Sequence, residues 1–334
     1  MEKTRLVTEA FSKKVAAIFS VHSRREVRLR VSPGMLIGRG PTRAAKILAP
    51  VLIFAVMALL AGCDRGGRPD PDPFGLPVTY PLGKKPATVI TGDMNGDEYP
   101  DILVPNSASD NLYYYEGLGD GTFKEAVVMK TGREPVALDI SDFNGDGVSD
   151  IAVCNYGDGN ITIILGQKDG LFKVLEPVKV GRLPISIGAG DFNNDEKMDL
   201  AVTLRFDKLI ILLGNGDGTF RLAEAYLAPG TPAHIAVSDY NNDTFDDIAI
   251  AFNAMKIKFI RLYLGNGDGT FQNPKLIKGG HQSAFIIHYD MDQDGQEDLI
   301  ISSAITDSLT LFLATAKEFS TPCRISRRRK ARRI

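Results

Sequence analysis

The segment DFNGDGVSDIAV, residues 142–153, contains the pattern from which the fold of this chain is predicted. Its Asp and Asn residues alternate with other residues and then lead into a short apolar run. The same pattern, Asp-x-Asn/Asp-x-Asp-x-x-x-Asp followed by Ile or Leu, occurs five times at intervals of 49, 49, 48 and 51 residues, beginning at Asp93, Asp142, Asp191, Asp239 and Asp290. Repeats of about this length are typical of propeller blades. The pattern therefore predicts a repeat architecture with a hard cation at each crowded acidic loop.

A second regularity fixes the length of each repeat. A Phe stands nineteen residues before every loop, which divides the chain into units at 74–122, 123–171, 172–219, 220–270 and 271–318. The segments between turns, such as NITIILG and KLIILLG, are short and rich in Ile, Leu, Val and Thr, which favours strands. Four such strands per unit would form an antiparallel blade. Blades packed radially leave only short, protected edges.

These units resemble the FG-GAP or VCBS repeat of integrin-like propellers. The resemblance covers residues 74–319 and is carried by DFNGDGVSDIAV followed by ILGQKDGLF. It implies an all-β propeller of five four-stranded blades, in which the metal loop joins the first and second strands of each blade. It also implies that the N-terminal segment PFGLPVTYPLG, residues 73–83, completes the last blade as its outer strand and closes the ring.

Two alternatives to a closed five-blade ring stay open. Integrin-type propellers usually have seven blades, so either this ring is small or its blades associate with something else. A β-helix of the toxin type, with a nine-residue metal-binding repeat, is the competing repeat fold, but its glycine-rich period is absent from the sequence. The closed ring is the interpretation that we carry forward.

The loops supply oxygen ligands, and we number their nine residues as positions 1 to 9. Side chains at positions 1, 3, 5 and 9 and the carbonyl at position 7 are the predicted ligands, because an oxygen-only set selects calcium over zinc or copper. The side-chain sets are Asp93, Asn95, Asp97 and Asp101; Asp142, Asn144, Asp146 and Asp150; Asp191, Asn193, Asp195 and Asp199; Asp239, Asn241, Asp243 and Asp247; and Asp290, Asp292, Asp294 and Asp298. The carbonyls are those of Tyr99, Val148, Lys197, Phe245 and Gln296. Up to five Ca²⁺ ions are expected.

Turn chemistry alone is the alternative explanation of these loops, since Asp, Asn and Gly all favour turns. It does not explain an Asp at position 9 in every copy. Position 6 should have a positive φ angle, which Gly adopts without strain. Only Gly147 and Gly295 meet this requirement, so the second and fifth loops are expected to bind calcium best. The later turns have too few ligands and are predicted to be plain hairpins, at Asp120, Asp169, Asp217 and Asp268.

The amino end carries the features of a membrane address. Residues 47–60 form an apolar run of 14 residues with basic residues before it, too short for a comfortable membrane span. The following LAGC, residues 60–63, resembles the lipobox of bacterial lipoproteins. We therefore predict a signal region at 1–62, cleavage before a lipidated Cys63, and a flexible linker at 63–73. A plain anchor helix is the alternative, and Met35 is an alternative start that gives a signal of ordinary length.

The charge of the chain is unevenly distributed. The net charge of the whole chain is -2, yet residues 63–323 hold 21 basic and 38 acidic side chains, and 16 of these acids are predicted metal ligands. A carboxylate-rich body is a poor nucleic-acid binder, because phosphate contacts need clustered Lys and Arg on one face. The basic tail, residues 320–334, offers no groove. It is predicted to be solvated and disordered, with contact to anionic lipid as the alternative.

Catalytic signatures are absent from the sequence. Beyond the predicted signal region the sequence has no HExxH, Walker or GxSxG run. It has three His residues at scattered positions in their units: His234, His281 and His288. We therefore predict a binding module rather than an enzyme, lipid-anchored in the bacterial cell envelope, with an envelope protein or glycan as its partner. A lectin is the first alternative, weakened by the lack of Trp although ten Tyr remain. A hydrolase with unrecognised catalytic loops is the second.

Overall fold

The computed structural model describes residues 78–254, 257–279, 283–303 and 308–314, and the backbone of 323–326. The predicted signal region, the lipidation site at Cys63 and the linker lie outside these residues. The chain divides into two units, Met1–Pro81 and Leu82–Ile334, and the strands that the structure describes all belong to the second. No helix in the described part of the chain is long and apolar enough to cross a bilayer.

The described residues form five antiparallel sheets, which we call blades 1 to 5. Blade 1 contains β1 (Ile90–Gly92), β2 (Asp101–Asn106), β3 (Asn111–Tyr115) and β4 (Val127–Lys130). Blade 2 contains β5 (Pro135–Ser141), β6 (Asp150–Asn155), β7 (Asn160–Gly166), β8 (Phe172–Val174) and β9 (Val178–Lys179). Blade 3 contains β10 (Pro184–Gly190), β11 (Asp199–Leu204), β12 (Lys208–Gly214) and β13 (Phe220–Leu227). Blade 4 contains β14 (Pro232–Ser238), β15 (Asp247–Phe252), β16 (Phe259–Tyr263) and β17 (Lys275–Lys278). Blade 5 contains β18 (Ser283–Tyr289), β19 (Asp298–Ser303), β20 (Ser308–Phe312) and β21 (Cys323–Ser326).

Within a blade the burial of a strand depends on its place in the sheet. The second strands of blades 2, 3 and 4 are buried at every residue, as in DIAVCN of β6. The fourth strand is largely exposed, as in FRLAEAYL of β13. The second strand has a continuous apolar run rather than an alternating pattern because both faces of an internal blade are covered by neighbouring blades.

Four hydrophobic core clusters are formed by the described residues, and each lies between two consecutive blades. The cluster between blades 1 and 2 includes Leu103 and Leu112 of blade 1 with Ile151 and Val153 of blade 2. Equivalent clusters join blades 2 and 3, blades 3 and 4, and blades 4 and 5. The first strands of consecutive blades also lie against each other, in the order β1, β5, β10, β14, β18. This is the radial packing expected of a propeller.

The structure confirms the all-β repeat fold and the place of the loops, since each predicted metal loop joins the first and second strands of its blade. It corrects the prediction for the last blade. The fourth strand of blade 5 is β21, from the segment predicted to be a basic tail, and it pairs with β20. The outer edge of β20 is therefore paired with β21 and not with the N-terminal segment. The described N-terminal residues 78–85 form no strand.

Candidate metal loops

The position-1 Asp organises each loop by accepting backbone N–H groups. In the second loop, Oδ1 of Asp142 accepts from Gly145 at 2.7 Å and from Asp146 at 3.2 Å, while Oδ2 accepts from Gly147 at 2.8 Å. The first loop repeats this arrangement around Asp93. One carboxylate therefore closes the turn.

Positions 3 and 5 continue the same turn chemistry. Oδ1 of Asn144 accepts the N–H of Asp146 at 2.9 Å, and Oδ1 of Asp146 accepts the N–H of Val148 at 2.8 Å. The position-5 bond recurs in all five loops, at Asp97, Asp146, Asp195, Asp243 and Asp294. A carboxylate that accepts one N–H with one oxygen still has acceptor capacity for a cation.

The oxygen ligands of the fourth and fifth loops, whose sequences differ most from that of the second loop, fit calcium. In the fourth loop the Asn241 Oδ1 atom is buried and has no hydrogen-bond partner, as expected of an oxygen that faces a cation site. In the fifth loop, Asp290, Asp292 and Asp294 bring three carboxylate oxygens within 4.8 Å of one another. Like charges this close favour a bound divalent cation.

The backbone at position 6 differs from the sequence-based expectation. All five residues there have positive φ angles: Glu98 (69°), Gly147 (81°), Glu196 (63°), Thr244 (74°) and Gly295 (89°). The three non-glycine loops therefore adopt the same turn as the glycine loops. The difference is the strain of a side chain at positive φ, about 1 to 2 kcal/mol per residue and largest for a β-branched residue such as Thr244.

The position-9 Asp has a structural role that the sequence did not reveal. Asp199 is fully buried; its Oδ2 accepts the N–H of Phe192 at 3.0 Å, and its Oδ1 accepts the N–H of Gly214 at 2.7 Å. The other four copies bond in the same way, with Asp101 bracketing Met94 and Gly117, Asp150 bracketing Phe143 and Gly166, Asp247 bracketing Tyr240 and Gly265, and Asp298 bracketing Met291 and Ala314. Each carboxylate thus joins its own candidate metal loop to the end of the third strand, and we call this pair of hydrogen bonds the bracket.

Burial raises the pKa of these carboxyl groups despite their hydrogen bonds. The pKa of Asp150 and of Asp199 is raised to about 6, and that of Asp247 to about 7, chiefly by loss of solvation. The acids at positions 1 and 5 raise them further, and a cation beside the loop would oppose this effect. The carboxylate of Asp298 is not part of the 4.8 Å group of its loop. The ligand roles of the position-9 Asp residues and of the position-7 carbonyls stay predictions.

A sequence signal for this bracket exists in the glycine that opens the second turn. An added Cβ at Gly117, Gly166, Gly214 or Gly265 would lie 2.3 to 2.5 Å from the carbonyl oxygen of the position-8 residue. The close approach of two backbones leaves no room for a side chain at these four positions, whereas the fifth copy has Ala314. The second turns themselves are held locally, since Asp217 accepts from both the N–H and the hydroxyl of Thr219. This geometry agrees with the predicted plain hairpins.

A polar cleft lies at the strand ends opposite the metal loops, because β2 and β6 run from a loop toward it. Its volume is about 480 Å³, and its lining residues come from blades 1 and 2 and the connections that follow them: Ser107, Ala108, Asp110, Arg133, Glu134, Gly157 and Leu183. The Arg133 Nε donates to Asp158 Oδ1 at 2.6 Å, and the N–H of Glu134 donates to Asp110 Oδ1 at 2.9 Å. The cleft therefore offers a guanidinium, carboxylates and a hydroxyl to a ligand.

The described His residues do not line this cleft. The ring of His234 stacks on Phe285 with centroids 4.0 Å apart, and burial lowers its pKa to about 4. The Nδ1 of His288 lies 3.0 Å from a Glu297 carboxylate oxygen. His281 lies outside the described residues. The contacts of His234 and His288 agree with structural roles for these two residues.

Comparisons with known proteins support the repeat assignment. The chain shares its fold with a lectin from Agrocybe aegerita, whose structure concerns specific recognition of non-reducing terminal N-acetylglucosamine (TM-score 0.52, 18% identity, 71% of this chain and 65% of the lectin). It is also similar to a protein from Lactobacillus plantarum (TM-score 0.54, 14% identity, 75% of this chain and 73% of that one). This chain thus spans less than two thirds of the lectin. At these identities the likeness concerns the fold alone, and no curated protein matches the sequence significantly.

The family model for an FG-GAP-like repeat matches four overlapping segments, 93–153, 142–202, 191–250 and 239–301. Each segment begins at the position-1 Asp of one loop and reaches or passes the second strand of the next blade. Together they cover more than half of the 334 residues. The chain belongs to the family of FG-GAP-like repeat proteins.

Proposed function

We propose that this protein is a calcium-binding, lipid-anchored propeller of the bacterial cell envelope that acts as a binding module rather than an enzyme. The proposed metal binding rests chiefly on the buried, unpartnered Asn241 Oδ1, in a loop that has Asp239 at position 1 and Asp243 at position 5. The side chains at positions 1, 3 and 5 would hold the ion, with positions 7 and 9 as further candidates. Bound calcium would supply positive charge that offsets the repulsion among the loop carboxylates.

The role proposed for calcium is to brace the blades. Each loop sits between the first strand and the buried second strand, so its conformation fixes how these strands leave the turn. Adjacent loops are also coupled, since the Ser149 hydroxyl donates to the Asp93 carbonyl at 2.9 Å and the Asp191 N–H donates to Asp246 at 2.9 Å. Ordering one loop therefore favours the geometry of its neighbour.

The membrane anchor is proposed from LAGC, with Cys63 as the lipidated residue. Radiolabelled palmitate supplied to cells that express the full chain should label the protein, and Cys63→Ala should abolish the label. Cys323→Ala is the matched control and should leave it unchanged. Equal labelling of the wild type and Cys63→Ala would refute lipidation at Cys63. The propeller-like fold does not depend on this result.

Glycan binding is the second candidate, favoured by the polar cleft. Arg133, Glu134 and Asp110 present donors and acceptors together, as hydroxyl-rich ligands require, and Leu183 adds an apolar contact. The lectin with this fold makes glycans that end in N-acetylglucosamine the first probes to try.

A glycan array in calcium tests this candidate. We expect retention of some glycan by the wild type and at least a tenfold loss of binding for Glu134→Ala, because a ligand hydroxyl would lose a charged acceptor. Lys173→Ala, at an exposed position of β8, is the control and should bind as the wild type does. If no glycan is retained in calcium, the proposal of glycan binding is refuted. The proposal of a protein-binding module does not depend on this result.

A further inference from the structure

The four junctions between consecutive blades share one arrangement of buried side chains. The position-2 side chain of a loop packs in the same core cluster as a first-strand residue of the next blade, and the pairs are Met94 with Leu138, Phe143 with Ile187, Phe192 with Ile235, and Tyr240 with Ile286. None of these eight side chains is more than 6% exposed. The equivalent residues at the two ends of the series are Met291 of blade 5 and Val89 of blade 1.

These two end residues are exposed. Met291 is 38% exposed and Val89 is 50% exposed. Pro86, which precedes β1, is also exposed, although its counterparts Pro135 and Pro184 are buried. Among the described strands, β18 and β1 do not pack as other consecutive first strands do. The predicted closed ring of five blades is therefore not formed by the described residues.

The far side of blade 5 is an apolar surface, which we call the trailing flank: Met291, Ile300, Leu309, Leu311 and Leu313. Leu309 is 39% exposed, and Ile300, Leu311 and Leu313 are partly exposed. Their counterparts in blade 3 face blade 4 and are at most 5% exposed: Ala201, Leu209, Ile211 and Leu213. The alternate residues of blade 5, such as Leu299 and Phe312, face blade 4 and are fully buried. Among the described residues, no further blade packs on the trailing flank.

The near side of blade 1 has a complementary surface, the leading flank: Pro86, Val89 and Ile102. Ile102 is partly exposed, whereas its counterparts in the other blades are fully buried: Ile151, Leu200, Ile248 and Leu299. Val104 and Tyr115 of the same blade are buried, so the exposed area lies beside the first strand. This is the part of a blade that receives the preceding blade at the internal junctions.

We propose that the trailing flank of blade 5 in one copy of this chain docks on the leading flank of blade 1 in a second copy. The two flanks are the two halves of a junction that the chain builds four times within itself, and continuity with those junctions makes a second copy the occupant. The contact joins different surfaces of the two copies, so it is head-to-tail and does not stop at a dimer unless the geometry closes. This association goes beyond the calcium and ligand binding proposed above.

Chemical cross-linking of the mature chain from residue 63 tests the contact. The background carries Cys63→Ser and Cys323→Ser, and Cys154 is a buried free thiol. Val89→Cys and Met291→Cys are prepared separately and treated with a short bis-maleimide, alone and mixed. We expect a cross-linked dimer at least fivefold more abundant in the mixture than in either variant alone. Val128→Cys, at a 53% exposed position of β4, replaces Val89→Cys in the control mixture and should give no such increase.

Three outcomes would overturn the proposal. Absence of a dimer in the mixture would leave the flanks for another partner, and dimers of Val89→Cys alone would mean a symmetric contact. A cross-link within one molecule of the double variant, with none between molecules, would mean that the ring closes on itself. Sedimentation velocity gives a second readout: the wild-type coefficient should rise with concentration, whereas Met291→Lys should stay monomeric with an unchanged melting temperature because this side chain is already exposed.

Discussion

Asp199→Ala is expected to lower the free energy of unfolding by about 2 to 3 kcal/mol in EDTA, where no metal contributes. The fully buried carboxylate accepts N–H groups from Phe192 and Gly214, and the substitution leaves both donors without an acceptor. Each such donor costs about 1 to 3 kcal/mol. The loss is less than the sum of two because burial of the carboxylate is itself unfavourable, as its raised pKa of about 6 shows.

Urea unfolding followed by circular dichroism measures this loss. Asp195→Ala, in the same loop, is the matched control, since its carboxylate is more accessible and accepts one N–H, from Lys197 at 3.1 Å. It should cost less than about 1 kcal/mol in EDTA and reveal its main effect only when calcium is present. A variant at Asp199 as stable as the wild type in EDTA would show that the bracket does not hold the blade together.

The bracket also shows what the sequence could not decide. Turn chemistry does not account for an Asp at position 9 in all five loops, so the sequence alone predicts a metal ligand there. The structure provides a second reason for the same residue, since Asp199 binds Gly214, fifteen residues further along. That partner becomes visible only when β11 and β12 are paired. The glycine is in the sequence, but its close approach to the Met198 carbonyl is not.

The sequence predicts the positions of strands and loops better than it predicts whether the ring of blades closes. Strands and loops follow from residues close in sequence, so the repeated Asp loop and the apolar runs located the blades correctly. The fourth strand of blade 5 was predicted wrongly because β21 is short and adjoins a cluster of Arg residues that favours a solvated tail. Ring closure depends on the angle between blades, which is set by packing across junctions such as Phe192 on Phe271, with ring centroids 5.3 Å apart. No repeat spacing encodes that angle.

Calcium is expected to raise the melting temperature of the chain from residue 63 substantially. Extracellular calcium modules have dissociation constants of about 10⁻⁴ to 10⁻³ M. At about 10 mM calcium, a loop at the tight end of this range would stabilise the fold by about 2.7 kcal/mol. Several occupied loops would add their contributions where they do not contact each other. Differential scanning calorimetry in calcium and in EDTA measures the shift, and Asp217→Ala, in a plain hairpin, should leave it unchanged.

The loops should contribute unequally to this shift. In the fifth loop three carboxylates lie within 4.8 Å of one another, whereas the other loops have Asn at position 3. The stability of the fifth loop should therefore depend most on a bound cation. Gly147 and Gly295 also adopt the position-6 turn without strain, whereas Glu98 and Thr244 do not. Asp294→Ala and Asp146→Ala should therefore remove more of the calcium-dependent stabilisation than Asp97→Ala.

The comparison must use the difference between calcium and EDTA, because every position-5 Asp also accepts an N–H within its own turn. That bond is lost in each variant and lowers the melting temperature even without metal. Subtraction of the EDTA value removes this common loss and leaves the calcium contribution of one loop. Equal differences for Asp97→Ala and Asp146→Ala would refute the ranking by strain at position 6. A wild-type chain that melts at the same temperature in calcium and in EDTA would refute the metal itself, since a ligand that binds only the folded state must stabilise it.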